Sequence, residues 1–224
     1  MKLYHGSVEI VRKPQLNKGK IYNDYGQGFY CTEDINLARE WSVGEGRDGY
    51  ANSYELNMTG LKTLDLCAKE YSVLNWLAIL LDNRVFDLHS DFAVEAKKYM
   101  LDHFLPKYQS YDVIKGYRAD DSYFMYAQDF LNNSISLSSL SKAMKLGNLG
   151  EQTVIKSSAA FDAIKFKEFE RVSSAVWFPH KDSRDRKARE SYREMSKQPW
   201  KKGEVYIMKI IDEEMEADDV RLRL

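Results

Sequence analysis

The order of strand-like and helix-like segments is the feature that most constrains the fold of this 224-residue chain. Alternating, aromatic and β-branched patterns predict strands at 3–7, 28–32, 50–56, 62–66, 111–117 and 152–156. Apolar residues at helical spacing predict helices at 35–41, 73–84, 91–107, 120–132, 137–146 and 159–172. Because no regular strand–helix–strand repeat connects these segments, we expect an α+β fold and not a doubly wound parallel sheet.

The composition excludes several kinds of site. The chain holds four histidines and two cysteines, and none of them forms a Cys-x-x-Cys or His-Glu-x-x-His spacing. A structural zinc site, another metal site or a disulfide scaffold is therefore not expected. The formal net charge of −1 excludes a uniformly basic surface that would coat nucleic acid.

A shift in charge predicts a boundary near Ser174. Residues 181–202 hold nine Lys or Arg against four Asp or Glu, whereas residues 212–219 hold six acids in eight positions. We expect a core domain over 1–174 and a charged, mostly helical extension over 175–224. The basic segment, which includes Tyr192 and Trp200, suits either nucleic-acid phosphates or a solvated helix, and its interleaved acids favour the helix. The acidic segment can fold back onto the basic one.

No membrane-spanning or export segment is expected. The first residues lack the apolar run of about 7–15 residues that a signal peptide needs. The longest apolar run, 76–81, is far shorter than the roughly 18 residues of a membrane span. These features predict a cytoplasmic protein without a membrane partner.

Two segments near the start of the chain suit a ligand site better than a core. Residues 4–7 are Tyr-His-Gly-Ser on a predicted strand, where aliphatic residues are the usual choice. Residues 24–32 bring two glycines against the pair Phe29 and Tyr30. Glycines at such positions let a ligand approach the backbone closely. Taken singly, each segment is also compatible with a structural strand and turn.

Together and in this order, the two segments resemble the ADP-ribosyltransferases of the histidine-tyrosine-glutamate class, the group that contains diphtheria toxin and the poly(ADP-ribose) polymerases. His5-Gly6-Ser7 matches the element on the first core strand, and residues 26–32 with the following helix match the Gly-x-Gly-Phe-Tyr element. The likeness is strong over 3–41 and weaker elsewhere. It is greater still to an uncharacterised bacterial family of ADP-ribosyltransferase-like domains, whose pattern includes 111–116, 119–121 and 220–222. It implies a split mixed β-sheet core with inserted helices, which the charged helical C-terminal appendage predicted from the charge pattern would follow.

The third element of this class is a glutamate at the start of a late strand, and this sequence has two candidates for it. The matching segment is 150–155. Matching by residue type selects Glu151, whereas aligning the apolar residues of the strand selects Gln152. Adjacent strand residues face opposite sides, so one of the two enters the site. With Gln152 in the site, transfer would need another acid, and Asp120 and Asp121 are the candidates.

The resemblance implies NAD as the donor and cleavage of its nicotinamide–ribose bond, with Glu151 or Gln152, His5 and Tyr30 as the catalytic set. In this scheme His5 holds a ribose hydroxyl, the Gly6 backbone binds the nicotinamide carboxamide, and Tyr30 stacks on the nicotinamide ring. Tyr25 is either a second wall or a loop anchor. The implied NAD-binding residues are His5, Gly6, Ser7, Tyr25, Gly28 and Tyr30.

The resemblance also implies a macromolecular acceptor, either protein or nucleic acid. Arginine is disfavoured as the acceptor because the Glu-x-Glu pair of the arginine-modifying class is missing near 151. Bacterial domains of this kind include toxins that a partner neutralises, which implies a toxin of a toxin–antitoxin or defence system, with an antitoxin protein as partner. The alternative is a non-catalytic module with a degenerate site that binds NAD, ADP-ribose or a partner.

Overall fold

The computed structural model describes residues 1–119, 121–144, 150–197 and 202–223, with the backbone alone for 121–123 and 196. The strands, in chain order, are β1 (Lys2–Ser7), β2 (Phe29–Cys31), β3 (Gly49–Leu56), β4 (Thr63–Asp65), β5 (Val113–Tyr117), β6 (Glu151–Ile155) and β7 (Ile164–Val172). The α-helices are α1 (Ile35–Ser42), α2 (Val73–Asn83), α3 (Asp91–Phe104), α4 (Asp121–Leu131), α5 (Leu137–Ala143), α6 (Ser158–Ala163), α7 (Ser174–Ser196) and α8 (Ile207–Asp212). Short 3₁₀ helices cover Tyr108–Ser110 and Val220–Leu222.

The strands form two sheets that meet at β1 and β2. The first sheet has the order β1-β3-β7 and is antiparallel throughout. The second has the order β2-β6-β5-β4 and is antiparallel except for the parallel pair β4–β5. Among the described residues, one pair of backbone hydrogen bonds joins the sheets, between Tyr4 and Thr32 at 2.8 and 2.9 Å. The predicted α+β class is confirmed at this level, as a mixed fold with two sheets.

Helix α1 lies directly on β1 because Gly6 has no side chain. Its N-cap is Asp34, as predicted, and the Asp34 side chain accepts a hydrogen bond from the backbone N–H of Asn36 at 2.8 Å. A Cβ atom added to Gly6 would lie 2.0 Å from the carbonyl oxygen of Ala38 and 2.8 Å from the backbone nitrogen of Ser42. Glycine at this position therefore allows the close packing of α1 on β1.

The second sheet is covered by a layer of helices. Helix α2 is buried from Leu74 to Leu81, as expected of a helix that is apolar on all sides. Ser72 and Asn75 form a capping box that fixes its first turn. Its buried residues pack with those of α3, α4 and α5 in the largest core cluster.

Residues beyond the predicted boundary at 174 contribute to this same cluster. Helix α7 begins at Ser174, and buried apolar side chains from the extension include Tyr192, Ile207, Ile210, Met215 and Leu222. The Tyr192 ring centroid lies 3.8 Å from that of Tyr126, and its hydroxyl donates to Asp129. The basic segment therefore includes a packed helix up to residue 196, while Trp200 lies outside the described residues.

The acidic segment, residues 212–219, contacts α3 and the nearby Arg221. The Glu216 carboxylate lies 2.8 Å from His103 Nδ1 on α3, and Tyr99 of α3 donates to the Met215 carbonyl. Glu213 and Asp219 both pair with Arg221. These partners lie outside the basic segment 181–202, onto which the sequence allows the acidic segment to fold back.

The helix predicted over 159–172 is wrong in its second half, because 164–172 forms strand β7. Ser53 pairs with Glu168 whereas Tyr54 pairs with Phe166, so Lys167 is an extra residue in a bulge. The bulge shifts the alternation by one position and places Phe166 and Phe169, three residues apart, on the same face. That spacing imitates a helix. The predicted end of α5 at residue 146 lies outside the described residues.

Among the described residues, no helix has both the length and the apolar character that crossing a bilayer requires.

Replacing Gly6 by alanine should lower the free energy of unfolding by about 1–3 kcal/mol, because the added Cβ forces α1 away from β1. Urea denaturation measures the change. Gly44→Ala is the matched control, since a Cβ there meets the end of a flexible side chain, Arg47 Nη2, at 3.3 Å, and should change stability by no more than about 0.5 kcal/mol. Equal midpoints for both variants and the parent would contradict this packing role.

Candidate functional site

The hydrogen-bond ladder between β1 and β2 stops after Tyr4 and Thr32. In that register the next hydrogen-bonded pair would join Gly6 to Tyr30. Instead, Nδ1 of the His5 side chain lies 2.7 Å from the Tyr30 carbonyl oxygen. Since a carbonyl oxygen only accepts, Nδ1 carries the proton. The imidazole thus donates to the Tyr30 carbonyl oxygen, which the Gly6 N–H would otherwise bind.

The interrupted ladder leaves the backbone of Gly6 facing a gap. Alternate residues of a strand direct their N–H and C=O groups to the same side, so those of Gly6 point, like those of Tyr4, towards β2. No hydrogen bond from Gly6 to β2 is found among the described residues. One donor and one acceptor are therefore available at this edge.

A cavity of about 500 Å³ opens at the gap, within the usual size range of small-molecule sites. Its walls come from β1, β2, α1, β6 and the loop between β1 and β2. His5, Gly6, Gly28, Tyr30, Trp41 and Gln152 contribute to its lining. The Nε1 atom of Trp41 is buried and has no acceptor among the described residues.

Tyr30 is held firmly at this cavity. Its hydroxyl donates to the Gly26 carbonyl and accepts from the Tyr25 backbone N–H at 3.1 Å. Gly26 has φ = 71°, a conformation that favours glycine, and this turn brings its carbonyl to the tyrosine. Burial raises the pKa of the Tyr30 hydroxyl well above its ordinary value, so the ring remains uncharged.

Burial also lowers the pKa of His5 below its ordinary value of 6.5, and the hydrogen bond to Tyr30 only partly opposes this effect. The ring is therefore neutral at neutral pH. With the proton on Nδ1, its Nε2 is a hydrogen-bond acceptor. The Phe29 ring packs against the imidazole, with centroids 4.4 Å apart, and limits its rotation.

The strand register places Gln152, and not Glu151, at the cavity. Tyr30 pairs with Val154, and residues two apart on a strand share a face, so Tyr30 and Gln152 lie on the same side of the sheet. Gln152 is only 3% exposed. Glu151 lies on the other face, where it lines a separate cavity with Lys115 and Thr153.

The carboxylate in contact with Gln152 belongs to Asp24, a residue to which the sequence analysis gave no role. Asp24 Oδ2 accepts from Gln152 Nε2 and from the Ala119 backbone N–H, each at 3.0 Å. Its Oδ1 lies 3.8 Å from Arg84 Nε. Asp24 lines the cavity and is 8% exposed. Because desolvation outweighs these contacts, the pKa of Asp24 is raised above its ordinary value of 3.8.

Cationic side chains outnumber acidic ones around the cavity. Lys13, Lys18, Arg84 and Arg118 line it, against the acids Glu9 and Asp24. The Arg118 guanidinium lies 4.8 Å from the Trp41 ring centroid, in cation–π geometry. The excess of positive charge suits a ligand that carries phosphate groups.

Two sequence-predicted residues have structural roles. Neither Ser7 nor Tyr25 is one of the described residues that line the cavity. Ser7 Oγ donates to the Glu9 carbonyl and accepts from Asn52, while Tyr25 is fully buried and donates to the Tyr117 carbonyl at 2.8 Å. Of the two alternatives for Tyr25, a second wall or a loop anchor, its contacts therefore support the loop anchor.

The two substitute acids, Asp120 and Asp121, fall outside the side chains that the structure describes. Asp120 lies outside the described residues, and Asp121 is described by its backbone alone, at the start of α4. No group of three or more His, Cys, Asp or Glu side chains that could hold a metal ion lies within the described ranges.

Asp24→Asn should raise the melting temperature at neutral pH. Because the folded-state pKa is raised, the folded protein loses stability as pH rises from 3.8 to that value. Asparagine avoids this loss and keeps an oxygen for Ala119 and Gln152. The advantage should vanish below pH 3.8, as thermal scans across pH would show. The control is Asp87→Asn, whose side chain is 84% exposed. A variant less stable than the parent at neutral pH would show that the buried charge is not a net cost.

Comparison with known proteins places the chain in a family. A search of curated proteins and a search of solved structures each found no match. Residues 1–166 match the family model described as a protein of unknown function, DUF3990. The matched residues include β1 to β6 and the start of β7. Since the match covers well over half of its residues, this chain belongs to the DUF3990 family.

Proposed function

We propose that this protein is an NAD-dependent mono-ADP-ribosyltransferase that binds NAD at the gap between its two sheets. The observation that carries the proposal is the meeting of His5, Gly6, Tyr30 and Gln152 around one cavity. They come from three distant parts of the chain. Their order along the sequence and their positions on the strands correspond to the motif of the histidine-tyrosine-glutamate class.

The nicotinamide end of NAD fits the edge of β1. A carboxamide offers one acceptor and two donors, and the Gly6 backbone offers the complementary N–H and C=O. The Tyr30 ring is pinned at its hydroxyl and stays neutral, which leaves its face suited to stacking on the nicotinamide ring. His5 Nε2 can accept a hydrogen bond from a ribose hydroxyl.

The phosphates of NAD suit the cationic side of the cavity. Arg84 and Arg118 line the cavity, as do the exposed Lys13 and Lys18 from the loop between β1 and β2. Guanidinium groups bind phosphate oxygens in pairs, and lysines act as point charges.

When bound, NAD supplies a glycosidic bond whose electron pair leaves with nicotinamide, as in glycoside chemistry. The chain's own residues hold the nicotinamide and the ribose in fixed positions, exclude bulk water and stabilise the positive charge at the anomeric carbon. Fixed dipoles and charges in such a cavity need no reorganisation during the reaction.

A second candidate function is a non-catalytic module that binds NAD or ADP-ribose. The observation that favours it is Gln152, an amide where the class has its catalytic carboxylate. The two functions differ in one measurement, because the module binds NAD without releasing nicotinamide.

His5→Ala should weaken NAD binding roughly tenfold, since a hydrogen bond to ribose and the tie to Tyr30 are both lost. Tyr30→Ala should weaken it roughly two- to tenfold through lost stacking, and Tyr30→Phe should bind more tightly than Tyr30→Ala. Calorimetric titration measures affinity, and chromatography of nicotinamide measures turnover, which both alanine variants should lose. The control is His89→Ala, whose side chain is 83% exposed. Unchanged affinity and turnover in His5→Ala would place NAD elsewhere.

The acceptor in this proposal is a protein or a nucleic acid, and the enzyme acts as a toxin that a partner protein neutralises. Incubation of the protein with labelled NAD and bacterial lysate should produce labelled macromolecules. Their loss on protease or on nuclease treatment identifies the class of acceptor. Release of nicotinamide without any labelled macromolecule would show an NAD hydrolase instead.

A further inference from the structure

We infer that Asp24, in the loop before β2, supplies the carboxylate of this site in place of the strand β6 residue. The inference rests on the proposed function and assigns the residue that stabilises the anomeric carbon. It differs from the sequence-based candidates, all of which lie at 120–121 or 151–152.

The position of Asp24 supports this assignment. Gln152 stands on the cavity face of β6, at the place of the class glutamate, and its Nε2 lies 3.0 Å from Asp24 Oδ2. The Asp24 carboxylate is therefore one hydrogen-bond length from the place where the class has its own. It lines the same cavity as His5 and Tyr30.

The hydrogen bonds of Gln152 explain why a glutamate is not found there. Its amide nitrogen donates to Asp24 Oδ2 and to the Tyr117 carbonyl oxygen at 3.2 Å. A glutamate at 152 would bring a third acceptor against these two, and two of the three would be negatively charged. Gln152 and Asp24 thus form a matched pair, in which the amide positions the carboxylate.

Within the described part of the chain, one oxygen of Asp24 remains available to a ligand. Oδ2 accepts from both Gln152 and Ala119, whereas Oδ1 accepts no hydrogen bond from the described residues and forms a long ion pair, at 3.8 Å, with Arg84 Nε. Burial raises the pKa of Asp24, and Arg84 and Arg118 oppose that effect. A carboxylate that stays buried although desolvation disfavours its charge is characteristic of functional sites.

Among the acidic side chains that the structure describes, the others near the cavity are less suited to this role. Glu9 lines the cavity but is exposed, next to the Ser7 and Asn52 contacts that hold its backbone. Glu151 faces the opposite side of the sheet.

The chemical step balances without a further reactant when water is the acceptor. The bond between the anomeric carbon and the nicotinamide nitrogen breaks, and its electron pair leaves with nicotinamide. A bond from that carbon to the water oxygen forms, and one proton passes to solvent. Asp24 is unchanged at the end, since its negative charge only stabilises the positive charge that develops. Loss of such a partner slows a reaction by about 10²–10³-fold.

The first test compares Asp24→Asn with the parent protein. Nicotinamide release should fall at least about 100-fold, whereas NAD affinity by calorimetry should change by less than about fivefold, because asparagine keeps the contacts to Gln152 and Ala119. Asp87→Asn is the control for a change of charge at an exposed site. Release by Asp24→Asn at more than half of the parent rate would overturn the inference.

The second test is Gln152→Glu, which restores the class residue. If Asp24 is the working carboxylate, the added acid should lower nicotinamide release and also lower the melting temperature, because two carboxylates then compete for one position. Higher release by Gln152→Glu would show that position 152 is a decayed glutamate site and would overturn the inference. Gln152→Ala should keep part of the release, since it removes only a positioning residue.

The parent protein distinguishes this inference from the proposed function. If the parent binds NAD but releases no nicotinamide, the non-catalytic module is correct and both proposals fail. If the parent and Asp24→Asn release nicotinamide equally, the proposed function stands and only the role of Asp24 fails.

Discussion

The break in the ladder between β1 and β2 is the constraint on which the site depends. Two strands that pair at Tyr4 and Thr32 would continue to pair if nothing intervened, and the gap would then be filled with backbone hydrogen bonds. The His5 imidazole takes the Tyr30 carbonyl and ends the pairing. One side chain thus ends the pairing between the two sheets and leaves the Gly6 backbone without a β2 partner among the described residues. The same contact fixes the tautomer of His5. The close packing of α1 on Gly6 holds β1 in place while the strands diverge.

The carbonyl of Tyr117 connects this gap to the helical layer. It accepts from Trp76 of α2 at 3.0 Å, from the Tyr25 hydroxyl at 2.8 Å and from Gln152 at 3.2 Å. The core helix, the loop anchor and the cavity face of β6 therefore meet at one atom at the end of β5. Arg84, directly after α2, reaches Asp24 from the same layer. The buried helices in this way position the charges of a site that lies at the edge of the sheets.

Local patterns predicted most elements, and contacts between distant residues account for what they missed. The cap at Asp34 and the apolar α2 depend on neighbouring residues, and both were predicted close to their observed limits. The strand β7 was missed because the bulge at Lys167 shows only in its pairing with β3. His5 and Tyr30 stand in continuous motifs and could be identified. Asp24 stands beside the second motif, but its partner Gln152 is 128 residues away and no local signal joins them. Asp24 combines an unfavourable buried charge with a place at the cavity, as is common where stability is given up for function.

The central claim is that the open edge of β1 binds NAD, and an NMR titration of the ¹⁵N-labelled protein with NAD tests it most directly. The backbone amide of Gly6 and the side-chain amide of Gln152 should show saturable shifts at one common affinity, while Gly60, which does not line the cavity, stays unchanged. Saturable shifts confined to Glu151, Thr153 and their neighbours on the other face of β6, or no shifts at all, would contradict the claim.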